Sequence, residues 1–82
     1  MNEKELQLIL NEGEGYKVEF KESLNNLDKE MVAFANSSGG RIFLGITDAG
    51  KVKGVSITND LKSRIQDMAN NCTPKIKISF DD

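Results

Sequence analysis

Two periodicities alternate along the chain. Residues 3–11 set Leu6, Ile9 and Leu10 at helical spacing and stop at Asn11-Glu12-Gly13, which predicts a short helix closed by glycine. From Tyr16 to Lys21 the period falls to two, with Tyr16, Val18 and Phe20 on one face and Lys17, Glu19 and Lys21 on the other. That alternation predicts a half-buried strand. After a polar loop from Ser23, Asn26 stands as an N-cap with Asp28 and Glu30 in the first turn of a second helix, whose apolar stripe is Leu27, Met31, Phe34 and Ala35. Ser37-Ser38-Gly39-Gly40 ends it. The run from Arg41 to Thr47 is apolar at Ile42, Phe43, Leu44 and Ile46 without alternation, as in a central strand covered on both sides.

Asp48-Ala49-Gly50 then predicts a tight hairpin, with Gly50 at positive φ and Lys51 to Val55 as the return arm. Thr58 or Asn59 caps a third helix with the stripe Leu61, Ile65, Met68, Ala69 and Cys72, which Pro74 breaks. Ile76, Ile78 and Phe80 alternate with Lys75, Lys77 and Ser79 in a last strand. The expected order is αβαββαβ, an α/β (α+β) domain with a mixed sheet and helices packed on it.

At 82 residues the chain has room for one domain. Ending just after a strand, residues 1–82 read as the N-terminal module of a longer protein, cut short at the C-terminal side. With no histidine, a Ser-His or Cys-His nucleophile pair and a histidine-ligated metal are excluded. The single cysteine permits neither an internal disulfide nor a zinc cluster, which suits a cytoplasmic location. On its apolar stripe, Cys72 reads as a small buried hydrophobe. The N-terminus lacks the basic stretch of a secretory leader and no apolar run approaches ~18 residues, so no membrane association is expected. Net charge is −2, which argues against nonspecific coating of nucleic acid. The cations Lys17, Lys21, Arg41, Lys51 and Lys53 nevertheless form a local patch if the strands gather them, and phosphates need only such point charges at loose spacing. The alternative for them is a solvated edge face.

Taken together, Val18-Glu19-Phe20-Lys21-Glu22-Ser23, the stretch Ala33-Phe34-Ala35-Asn36-Ser37-Ser38-Gly39-Gly40-Arg41-Ile42-Phe43-Leu44-Gly45-Ile46, and Thr47-Asp48-Ala49-Gly50-Lys51-Val52-Lys53-Gly54-Val55 resemble the Schlafen AlbA-type DNA-binding domain, also called a divergent AAA domain. The similarity runs from about Glu12 to Phe80. It implies nucleic-acid binding, to DNA or RNA, in the N-terminal module of a bacterial transcriptional regulator or helicase-related protein. Second, it implies a nuclease. In nuclease members, two glutamates five residues apart and an aspartate in the following turn are the acidic positions, which fall here on Glu14, Glu19 and Asp48. Three such oxygen ligands suit Mg²⁺ or Mn²⁺ in phosphodiester cleavage, with Lys21 beside Glu19 to steady developing charge. Without the resemblance, the same acids read as a solvated strand face, a turn residue and a loop residue.

The glycines at 39 and 40 follow a helix and open a strand, the reverse of a phosphate-binding loop, so no ATP site is expected there. The aromatic residues all fit core positions, leaving no stacking platform for single strands. The functional expectation is therefore a binding module, catalysis belonging to the alternative of a metal-dependent nuclease. A third possibility is a protein-interaction or homodimerisation module, consistent with the acidic balance and an exposed last strand.

Overall fold

The computed structural model describes residues 1–15 and 17–81; Tyr16 and Asp82 lie outside the described residues, and with Tyr16 goes one expected strand position. The elements in chain order are α1 (Glu3–Glu12), β1 (Val18–Lys21), α2 (Leu27–Ala35), β2 (Arg41–Leu44) and α3 (Asn59–Asn70). β1 and β2 pair in parallel, Val18 with Arg41 through Lys21 with Leu44, and α2 is the crossover that parallel pairing requires. The class is α+β, as the alternating periods predict.

In-register partners share a face of the sheet, so Val18, Phe20, Arg41 and Phe43 look one way and Glu19, Lys21, Ile42 and Leu44 the other. On the first side Phe20, 1 % exposed, meets Phe43 edge to face with ring centroids 6.2 Å apart. On the second side Ile42 and Leu44 rest on the main core cluster of Leu27 and Met31 from α2 and Ile65 and Ala69 from α3. β2 is thus apolar on both faces because it is covered on both. These apolar stripes are those read from the sequence, although Ala35 at the end of the α2 stripe is exposed.

The helix ends show local chemistry. Asn2 and Thr58 accept the amides of Glu5 (2.8 Å) and Leu61 (3.1 Å), as N-caps do. Asn26 occupies the cap position of α2 in a different manner: it is left-handed, φ 60°, and its side chain makes no cap hydrogen bond. Gly39, at φ 89°, donates its amide to the Phe34 carbonyl (2.9 Å) and closes α2. Gly40 is held to glycine by the Phe34 ring, because a Cβ there would fall 2.4 Å from it.

Two expected strands take another form. Thr47 and Gly50 make the predicted turn, the Gly50 amide donating to the Thr47 carbonyl at 2.8 Å with φ 85°. The return arm, however, contributes a single antiparallel bridge, Ile46 to Val52. The reason lies one step on, where the amides of Lys53 and Gly54 both donate to the Gly45 carbonyl, at 2.7 and 2.8 Å. That bulge diverts the arm from the ladder. Residues 75–80 form no strand; the Ile76 amide donates to the Ala69 carbonyl at 3.0 Å, and Ile76 and Ile78 pack on the core cluster beside α3 instead.

Candidate nucleic-acid interface

The polar positions of β1 bring acids and cations together at its C-terminal half. Glu14, in the loop before the strand, turns its carboxylate onto the strand edge, where Oε2 accepts the Phe20 amide at 3.0 Å. That bond fills a place a neighbouring strand would otherwise take, and it sets Glu14 beside Glu19. Glu19 is half-buried on the face shared with α2. Burial, a hydrogen bond with Glu14, and the charges of Glu14 and Glu30 together push the Glu19 carboxyl up to about 7, against the opposing pull of Lys21. Near neutrality Glu19 is therefore partly protonated and donates to the Glu14 carboxylate.

Asp48 is exposed in the Thr47–Gly50 turn. Among the described residues no three His, Cys, Asp or Glu side chains gather into a group able to hold a metal ion. Glu14 and Glu19 thus meet as a pair, and Asp48 does not join them in such a group. Glu30, the additional acid facing Glu19, sits in the first turn of α2. Its helical position was visible in the sequence; its approach to β1 depends on how α2 packs on the sheet.

The five candidate cations divide between the two ends of the sheet. Lys17 and Arg41 are exposed neighbours where the strands begin, the Arg41 amide donating to the Lys17 carbonyl at 2.8 Å. Lys21 and Lys53 flank Gly45 where the strands end, since the Lys21 carbonyl accepts the Gly45 amide and the Gly45 carbonyl accepts that of Lys53, both at 2.7 Å. Lys51 is exposed at the adjoining turn, its amide donating to Thr47 Oγ1. The two ends, marked by Lys17 and Lys21, stand about 13 Å apart, the rise of four strand residues. Lys53 also pairs with Glu22 at 3.2 Å, both side chains solvent-exposed. Sequence reasoning passed over Glu22, since only the hairpin's return brings Lys53 to it.

Cys72 is half-buried just beyond α3 and its thiol donates to the Met68 carbonyl at 3.3 Å, in keeping with a packing role. No helix among the described residues is long and apolar enough to cross a membrane.

A parallel strand pair joined by a helix, with cations at both ends and Glu14 of the preceding loop turned toward Glu19 on β1, makes this a small α+β domain. The chain belongs to the Schlafen, AlbA_2 family, whose model matches residues 14–82. The match takes in β1, α2, β2 and α3 together with every candidate acid and cation. No solved structure matches the chain.

Proposed function

We propose that this domain binds nucleic acid, DNA foremost, through phosphate contacts from Lys21, Lys51 and Lys53 at one end of the sheet and Lys17 and Arg41 at the other, serving a transcriptional regulator or helicase-related protein in the cytoplasm. Membership of the Schlafen, AlbA_2 family carries this reading. Lys17, Arg41, Lys51 and Lys53, all exposed, and the half-buried Lys21 supply its chemistry. An exposed ion pair such as Lys53–Glu22 contributes only ~0–1 kcal/mol, so a phosphate can displace Glu22 at little cost. Partial neutralisation of Glu19 also lessens the repulsion a phosphate meets beside Lys21.

The test is a titration of labelled duplex DNA and structured RNA at low and moderate salt, with and without Mn²⁺, scored for both retardation and cleavage. Salt-sensitive retardation of intact DNA is expected. Failure to retard either polymer at high protein concentration would refute the proposal. Mn²⁺-dependent cleavage lost in Glu19→Gln would replace it with a nuclease, which in turn requires Asp48 to join Glu14 and Glu19 around the metal. Concentration-dependent dimers with neither activity would point to an interaction module.

A further inference from the structure

The outer edge of β2 is built to take another strand. The amides of Arg41 and Gly45 donate to the carbonyls of Lys17, just before β1, and Lys21, at its end, so alternate amides of β2 face its partner and those of Ile42 and Leu44 face the opposite edge. Among the described residues no strand pairs there, the sheet being two-stranded. The chain that returns from the Thr47–Gly50 turn starts down this edge with the Ile46–Val52 bridge and then bulges, Lys53 and Gly54 together facing Gly45.

A bulge advances the register by one residue. The pairs that follow it are Leu44 with Val55 and Ile42 with Ile57, and both are unmade: Val55 is 39 % and Ile57 51 % exposed. All four side chains line one open groove of about 810 Å³. Direct partners in an antiparallel ladder share a face, and Ile42 and Leu44 lie on the face that packs against Leu27, Met31, Ile65 and Ala69. This register therefore carries Val55 and Ile57 toward the core and leaves Ser56 opposite Phe43. A slip of one residue would send both apolar side chains to the other face.

We propose that residues 55–57 close onto the free edge of β2 as a third strand, hinged at Gly54. The hinge suits the motion: Gly54 sits at φ 80° with no atom within 4 Å of the position a Cβ would take. Closure draws two exposed apolar side chains over the cluster, and it fixes Lys51 and Lys53, which ride on the same arm, relative to Lys21. The groove also admits other occupants, namely a second copy of the chain or residues 76–80, of which Ile78 and Phe80 line it.

Residue-resolved amide hydrogen exchange of the whole chain distinguishes these. Closure by the arm predicts that Val55 and Ile57 exchange at least about tenfold more slowly than Ser56 between them, together with slow Ile42 and Leu44, at low and high protein concentration alike. Val55→Pro removes a ladder amide and is expected to release Leu44, whereas Ser56→Pro removes an amide pointing away from the ladder and is expected to leave it protected. Slow amides in α3 confirm that both variants fold. Exchange of residues 55–57 at one common fast rate overturns the proposal. Protection of Ile42 and Leu44 that survives Val55→Pro, or that grows with concentration, overturns it equally by giving the edge to another strand.

Discussion

Glu19 works against the stability of the fold it belongs to. Its carboxyl titrates at about 7 in the folded chain against an ordinary 4.5, so between those values the folded state holds more protons than the unfolded one. Stability is then greatest below about pH 4.5 on this account and declines as pH rises through 7, the opposite of a salt-bridged carboxylate. Glu19→Gln keeps a donor toward Glu14 and removes the charge. After discounting for the partial exposure of the site, the substitution is expected to stabilise the domain by about 1 kcal/mol at pH 8, with the gain vanishing near pH 4.5. Urea unfolding at the two pH values checks this, and a Glu19→Gln variant less stable than the parent at pH 8 would contradict it. Gly45 represents the opposite case, a residue fixed by geometry. It combines φ 80° with a Cβ position 2.7 Å from the Gly54 carbonyl carbon. Gly45→Ala is expected to cost roughly 1–3 kcal/mol, whereas Gly39→Ala, at positive φ but with open space around it, falls at the low end of that range.

At the scale of elements, the caps separate what sequence dictates from what packing decides. Thr58→Ala removes a bond to the Leu61 amide and is expected to lower stability by about 1 kcal/mol. Asn26 stands at the same kind of position, yet its side chain caps nothing and its backbone is left-handed, so Asn26→Gly is expected to be neutral or stabilising by up to ~1 kcal/mol. Thermal melts of the two variants measure the contrast directly. Three helices, the paired strands and the turn at Gly50 were legible because each rests on a local signal: a 3.6 or 2.0 period, a cap, or a positive φ. The left-handed Asn26 was not legible, because asparagine serves both as cap and as left-handed residue. Nor was the bulge at Gly45, which arises from a backbone meeting with Gly54. Residues 75–80 keep a strand's alternation, but Ile76 and Ile78 find their apolar surface beside α3, and alternation alone does not name a hydrogen-bonding partner. The candidate site divides in the same way. The contact of Glu14 with Glu19 follows from local chain reversal, while the approach of Glu30 and the pairing of Lys53 with Glu22 depend on tertiary placement.

For the whole molecule the distribution of charge outweighs its sum. A net charge of −2 gives no long-range attraction to a polyanion, so any affinity has to come from the cations at the ends of the sheet. Phosphate contacts announce themselves in salt dependence, each contributing a slope of about 0.9 in log K against log salt on duplex DNA. If Lys21, Lys51 and Lys53 each touch a phosphate, replacing all three with Gln is expected to lower the slope by close to 3, and replacing Lys17 and Arg41 with Gln by close to 2. Weaker binding at an unchanged slope would show that the residues replaced are not phosphate contacts. The proton on Glu19 gives a second handle on the same surface. As pH rises from 6 to 8 the Glu14–Glu19 pair gains negative charge beside Lys21, so DNA affinity is expected to fall across that range at constant salt, and Glu19→Gln to flatten the dependence. A steep pH dependence retained in Glu19→Gln would place the titrating group elsewhere. Because Lys51 and Lys53 are carried by the hairpin arm while Lys21 is fixed in β1, a slope that falls with Lys21→Gln but not with the arm variants would place bound phosphate against the strand end rather than the turn.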